Sequence, residues 1–490
     1  MIDIDAITDR AEEQRRRFDA AGQGHLFRFW SELAPEHRIA LLGQLEAIDL
    51  DEVRRLHEAL PKRALAREGV AAEEACIDIA NVAPASYVPH GFADTARYRA
   101  VGEDLLRSGK VAAFVVAGGQ GTRLGWRGPK GTYPATVIAG KPLFRVFAEE
   151  ILAAERKYGV TIPWYVMTSP LNDADTRAFF RDNNWFGLKD RDVFLFPQGT
   201  MPSIDAHGKL LLEEKHIVAV NPDGHGGALR ALRASGAVED MQARGIEQLS
   251  YFQVDNPLVR VVDPVFLGLH ATHAESSGEM SSKMVAKRDA GEKVGVFCNV
   301  GGRTRVLEYS DLPAAIAEAT DANRKLRFCA GSIAIHILSV AFIDRLTARH
   351  GSADDAFGLP FHRANKKVPH VDLTSGTKVD PKEPNAIKFE AFIFDALALC
   401  AESLVVETSR VEEFAPIKNA TGDDSPASSH QLQSDRAGAW LESAGVTVPR
   451  RPDGHVDAKI EISPLTALEP SDLKKVALPK AIARGAEVVI

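Results

Sequence analysis

The stretch 111-VAAFVVAGGQGTRLGWRGPKG-131 limits the possible folds more than any other part of the chain. Residues 111–117 are a continuous apolar run rich in β-branched side chains, the pattern of a strand buried on both faces of a parallel sheet. The run ends in Gly118, Gly119 and Gly121, and Arg123 and Lys130 follow within one loop. A glycine loop between a buried strand and a helix lets bare backbone N–H groups approach phosphate oxygens. A tight turn without a ligand would account for the glycines but not for the two cations. Leu124 stands where G-x-G-x-x-G needs its last glycine, and the Gly-Lys step at 140–141 is followed by Pro142, so neither the dinucleotide fingerprint nor the Walker loop fits.

The neighbouring segments extend the pattern. Residues 141–159 have helical periodicity and end in Gly159. Strand-like runs at 161–169 and 192–198 flank a polar helical candidate at 173–183, and the apolar run 248–259 contains Asp255. Residues 294–310 read as a hairpin turning at Gly301-Gly302. Alternating strands and helices predict βαβ units and an α/β domain with a mainly parallel, mixed sheet over 106–404. Residues 1–105 read as a mainly helical region, with the Pro-rich stretch 83–91 as a linker. The rhythm stops near residue 405; 420–435 reads as a polar loop, and 405–490 as a small C-terminal domain.

Charge and cysteines narrow the partners. The 490 residues carry a formal net charge of −8, which argues against a nucleic-acid partner, so an anionic ligand must be held by local cations. Cys76, Cys298, Cys329 and Cys400 form no C-x-x-C pair, indicating neither a disulfide framework nor a zinc site; a reducing, cytoplasmic setting is expected. The N-terminus is charged and lacks the apolar core of a signal peptide, and no apolar run approaches the roughly 18 residues of a membrane span, so no membrane partner is expected.

AGGQGTRLG followed by PKG resembles the signature of nucleotidyltransferases that make nucleotide sugars, and the likeness continues in order along the chain. It includes QGTMPSIDAHGKLLLEEK (198–215), PDGHGGALRAL (222–232), QVDNPLVRVVDPVFLG (253–268), VLEYSDL (306–312), IKFEAFIFD (387–395) and EEFAPIKNA (412–420). This ordered set resembles the UDP-sugar pyrophosphorylase family, most closely its eukaryotic-type UDP-N-acetylhexosamine branch. The last 70 or so residues show little of it. The resemblance implies a Rossmann-like, GT-A-like nucleotidyltransferase domain. It also implies transfer of uridylyl from UTP to a sugar 1-phosphate with release of pyrophosphate, assisted by Mg²⁺ or Mn²⁺.

By the same resemblance, Ala117, Gly118, Gly119, Gln120 and Gly121 would hold the uridine and its phosphates, Gln198 would read the uracil edge, and Gly224 would lie near the base. Arg123 and Lys130 would offset phosphate charge, with Lys388 and Lys418 approaching from later in the chain. Asp255 would hold the metal ion; a carboxylate after a buried strand suits Mg²⁺, which takes one or two carboxylates plus phosphate oxygens. His225, Gly295, Glu308, Tyr309, Ser332, Phe392 and Phe394 would line the sugar pocket. The two phenylalanines, spaced i, i+2, would share one side of an extended segment. Asp263 reads as a turn residue.

Two positions depart from the pattern. Relatives that use N-acetylglucosamine carry Asn at the positions of His225 and Ser332, and the histidine resembles the GHG motif of UDP-glucose pyrophosphorylases. N-acetylglucosamine 1-phosphate is the expected substrate, with glucose 1-phosphate or broad specificity as the alternative. A non-catalytic nucleotide-sugar sensor is a more distant reading, and the oligomeric state is left open.

Overall fold

The continuous burial expected for the first strand is what the computed structural model shows, and it organises the rest of the fold. Residues 4–59, 81–309, 312–348 and 358–490 are described; Cys76 and the part of the N-terminal helical region at 60–80 lie outside them. Val111–Val116 has five of its six residues buried, and every residue of Trp164–Thr168 is buried. Val111, Ala113 and Val115 pack with Phe144, Phe147 and Ile151 of the helix Leu143–Tyr158. On the opposite face Phe114 meets the rings of Tyr251 and Phe196. A strand covered on both sides has no face to leave polar, hence the unbroken apolar run.

Contacts divide the described residues into two units: one from 4–59, 199–227 and 359–393, the other from 81–198, 228–309, 312–348, 358 and 394–490. The second contains a ten-stranded mixed sheet. Its path runs Val82–Pro84, Val296–Val300, Ala330–Ser339, Gln248–Gln253, Val111–Val116, Trp164–Thr168, Val193–Pro197. The last four strands are parallel to one another, so their carboxyl ends lie together. Met280–Ala286 pairs antiparallel with Ala330–Ser339 and parallel with Ser403–Glu407. The hairpin Val296–Val300/Arg303–Leu307 turns through Gly301 and Gly302, both at positive φ.

The other unit contains the helices Ile4–Ala20, Pro35–Ala47 and Leu50–Ala59 and the antiparallel pair Phe361–Lys366/Ala386–Ala391. The C-terminal helix Pro426–Ser443 and the short parallel pair Lys459–Glu461/Glu487–Val489 surround a local apolar cluster that includes Trp440, Leu441 and Ile460.

Three local expectations are corrected. The presumed linker 83–91 overlaps an edge strand, Val82–Pro84, paired with Val296–Val300, and Val88 bridges to Val406. The presumed polar loop 420–435 ends at Ser425, whose side chain and that of Ser428 form a capping box; Pro426 then starts the helix at its first position. Phe392 and Phe394 do not share an extended segment: strand pairing ends at Ala391 and a 3-10 helix, Ile393–Leu399, begins.

Candidate functional site

The loop after Val111–Val116 is built by its own backbone. Ala117 N–H donates to the Met167 carbonyl at 2.7 Å, Lys130 N–H to Gly119 O at 3.0 Å, and Gly121 N–H to Gly128 O at 3.1 Å. Asn172, fully buried, donates from Nδ2 to the carbonyls of Ala117 (3.1 Å) and Gly119 (3.3 Å). Those carbonyls are thereby occupied, while among the described residues the amides of Gly118 and Gly119 donate to no carbonyl. Adjacent free N–H groups of this kind form an anion-binding concavity. A Cβ on Gly118 would stand 2.3 Å from Gln198 Oε1. Gln198 itself follows the neighbouring strand, its N–H donating to Thr168 O at 2.9 Å. A side chain at 118 would thus collide with the end of the Gln198 side chain, while the φ of Gly118 does not itself call for glycine.

Asp255 lies two residues beyond the Gln248–Gln253 strand and is 9% exposed. Its Oδ2 is 3.9 Å from Lys130 Nζ and 4.0 Å from Lys418 Nζ. Both are within ion-pair range and beyond hydrogen-bond range, so the ammonium N–H groups remain available to a third group. Lys418 Nζ also stands 3.9 Å from Asp424 Oδ2. Burial pushes the Lys130 ammonium below its ordinary value; Asp255 opposes this, while Lys418 and Arg123 reinforce it. Burial pushes the Asp424 carboxyl up, against the pull of Lys418. Arg123 is exposed on the short 3-10 turn Thr122–Leu124. Three cations and two carboxylates leave this part of an acidic protein with local excess positive charge.

Among the described residues no group of three or more His, Cys, Asp or Glu side chains could enclose a metal ion. The Asp255 carboxylate accepts no hydrogen bond from them, which fits a cation held by one carboxylate and completed by ligand oxygens and water.

The same unit brings Gly295, Glu308 and Ser332 together. Ser332 N–H donates to Gly295 O at 2.8 Å, and a Cβ on Gly295 would lie 3.3 Å from Glu308 Oε1. Tyr309 is about half exposed. Phe394 also belongs to this unit and lies in the 3-10 helix Ile393–Leu399.

In the other unit, Gly224, His225 and Phe392 cluster at the end of the Ala386–Ala391 strand. Gly226 N–H donates to Ala391 O at 2.8 Å, and Ala391 N–H to Asp223 O at 2.8 Å. Gly224 has φ +83°, and a Cβ there would stand 2.3 Å from Ala391 O, so both conformation and space demand glycine. Ile393 N–H donates to His225 Nδ1 at 3.2 Å. Phe392 packs near two imidazoles, its ring 5.5 Å from that of His225 and 4.9 Å from that of His362. Lys388 is paired in register with Ala364, and burial lowers its pKa.

Asn172, Asp424 and His362 were missed by sequence reasoning. Asn172 carries no spacing signal because its partners are loop carbonyls more than 50 residues away. Asp424 lay hidden in a run read as a solvated loop.

Residues 92–438 match the family described as UTP–glucose-1-phosphate uridylyltransferase. The chain is 39% identical over 455 residues to the UDP-N-acetylhexosamine pyrophosphorylase-like protein 1 of Xenopus tropicalis, covering 91% of this chain and 87% of that protein. It is 34% identical over 448 residues to the UDP-N-acetylglucosamine pyrophosphorylase of Saccharomyces cerevisiae, covering 89% of this chain and 92% of that one. Its structure is similar to the crystal structure of the uridine diphosphate N-acetylglucosamine pyrophosphorylase of Trypanosoma brucei, with a TM-score of 0.78, 25% identity and 98% of both chains covered.

Proposed function

The chain belongs to the UTP–glucose-1-phosphate uridylyltransferase family, and from that membership we infer that it is a uridylyltransferase making a UDP-sugar and pyrophosphate from UTP and a sugar 1-phosphate. The observation that carries the reading is the pair of lysines, Lys130 and Lys418, held near the same carboxylate oxygen of Asp255 without hydrogen-bonding to it, beside the unpaired amides of the glycine loop. Such an arrangement suits a polyphosphate better than any neutral ligand.

The reaction needs little from acid–base groups. A phosphate monoester has its second pKa near ~6 and is largely dianionic at neutral pH, so the sugar phosphate is already a nucleophile. Its oxygen forms a bond to the α-phosphorus of UTP as the α–β phosphoanhydride bond breaks and pyrophosphate leaves with the electron pair. The protein aligns two anions and offsets the charge that spreads over the transferring group. Lys130 and Lys418 do this at the α-phosphate, Arg123 at the leaving phosphates, and Gly118 and Gly119 through their amides. Gln198 faces the base. Asp255 would hold a Mg²⁺ (or Mn²⁺) ion, which would supply further charge neutralisation.

N-acetylglucosamine 1-phosphate is the favoured acceptor, supported by the names of the similar proteins. His225 favours keeping glucose 1-phosphate as a second reading. No helix among the described residues is long and apolar enough to cross a membrane. Pyrophosphate release is the test, with purified protein, UTP, Mg²⁺ and a panel of N-acetylglucosamine, N-acetylgalactosamine, glucose and galactose 1-phosphates. Release with one or more of them is expected. Folded protein that binds UTP and releases none would be a sensor instead.

A further inference from the structure

The segment that carries Lys418 is held at successive backbone groups by side chains from elsewhere in the same unit. Asn256, immediately after Asp255 and 4% exposed, donates from Nδ2 to Glu413 O at 2.6 Å and accepts at Oδ1 from Ala415 N–H at 3.1 Å. Ser429, fully buried in the helix Pro426–Ser443, donates from Oγ to Ala415 O at 2.7 Å. Ile417 N–H donates to the Asp255 carbonyl at 2.8 Å. From the same helix, Arg436 Nη1 reaches Leu258 O at 3.3 Å and Glu412 O at 3.4 Å.

A side-chain amide that bonds one residue's carbonyl and the N–H two residues on acts as a neighbouring strand would, and it specifies register. A slip of one residue would carry Lys418 about 3.3 Å along the chain. An ammonium is a point charge whose effect on a transferring phosphoryl group falls with distance, and displacements of about 1 Å can cost ~100-fold in rate. None of the three side chains reaches the Asp255 carboxylate or either lysine ammonium, so any effect on chemistry must pass through the segment they hold.

We propose that Asn256 and Ser429 are positioning residues for uridylyl transfer: they fix residues 413–417 in the register that places Lys418 Nζ beside the Asp255 carboxylate. The helix Pro426–Ser443 thereby acts on the reacting phosphates without touching them, which gives the C-terminal region a part in the reaction. The proposal rests on the uridylyltransferase reading above.

The test is a double-mutant cycle on the full chain, measuring kcat, KM for both substrates and the melting transition of Asn256→Ala and Ser429→Ala, each alone and combined with Lys418→Ala. Alone, Asn256→Ala should lower kcat by about 100-fold and Ser429→Ala by about 10-fold, with KM changed less than about threefold. In the Lys418→Ala background each should cost less than about twofold, because the group they position is gone. Losses that multiply with that of Lys418→Ala, or a KM that rises while kcat stands, would overturn the positioning role and leave the activity itself intact. If Asn256→Ala does not fold, Ser429→Ala, which deletes one oxygen, decides the matter. Absence of pyrophosphate release from the unmutated protein would instead defeat the uridylyltransferase reading.

Discussion

Gly118 and Gln198 are in a contact that leaves no room for a methyl group: a Cβ on the glycine would lie 2.3 Å from the glutamine Oε1 and 3.4 Å from its carboxamide carbon. The obstacle is the end of a flexible side chain, so Gly118→Ala should fold and displace the Gln198 amide. If that amide reads the uracil edge, losing one oriented hydrogen bond should raise KM for UTP by about 10-fold, with a smaller effect on the sugar phosphate. Steady-state titration of each substrate checks this. An unchanged KM for UTP would separate Gln198 from the base.

Lys130 should control the alkaline limb of activity. Burial holds its pKa below the ordinary 10.5, and the charged form is the one that offsets phosphate. The rate should therefore fall as pH rises through a value below 10.5. For stability the sign is opposite: between the folded and unfolded pKa values the unfolded chain binds more protons, so stability rises with pH across that window. Lys130→Arg keeps its charge throughout and should remove this limb from the kcat/KM profile, whatever its absolute rate. A limb that persists unaltered in the arginine variant would assign it to another group.

The strand Val111–Val116 was legible because burial on both faces leaves a continuous apolar run, and the hairpin because Gly301 and Gly302 supply two consecutive positive φ angles. Val82–Pro84 was not legible, since three residues with no alternation become a strand only by pairing with residues 298–300. The start of the C-terminal helix was masked by its capping serines, which favour loops and helix N-termini for the same hydrogen-bonding reason. In the candidate site, glycines and cations carry chemistry in their residue type, so the loop with Arg123 and Lys130 could be read directly, whereas Lys418 was reached only through the family resemblance. Asn172 and Asn256 act through backbone carbonyls far away in sequence, and no spacing announces that.

Arg363 should be a weak point in stability. It is 6% exposed in the strand Phe361–Lys366, and its Nε and Nη1 meet no hydrogen-bond partner among the described residues. Desolvation lowers its pKa, and no acidic group among the described residues offsets the effect. Replacing an unpaired buried guanidinium by an apolar chain of similar length removes that cost, so Arg363→Met should gain about 1–3 kcal/mol. Urea unfolding would measure it, and an unchanged or lower midpoint would show that the guanidinium has a partner.

His225 should tune the choice of sugar. Its Nδ1 accepts from Ile393 N–H, so the neutral ring bears its proton on Nε2 and can only donate from there. An asparagine amide could both donate and accept. His225→Asn should raise the preference for N-acetylglucosamine 1-phosphate over glucose 1-phosphate by about 10-fold in the ratio of kcat/KM values. A ratio that does not move would place the sugar discrimination elsewhere.

Glu150 should make stability depend on pH near neutrality. Its carboxyl is buried in the helix Leu143–Tyr158, and desolvation pushes its pKa up to about 7, against a hydrogen bond from Val261 N–H at 2.9 Å and the charges of Arg436 and Arg260. A carboxyl raised in the fold binds more protons folded than unfolded between 4.5 and about 7. The stability it contributes is complete below 4.5 and is lost as pH rises through about 7. Glu150→Gln keeps an oxygen to accept from Val261 and cannot ionise. The variant should therefore match the parent at acidic pH, exceed it above neutrality, and show a flatter dependence of melting temperature on pH in between. Melting curves that stay parallel from acidic to alkaline pH would mean that Glu150 stays ionised, with its two arginine neighbours outweighing its burial.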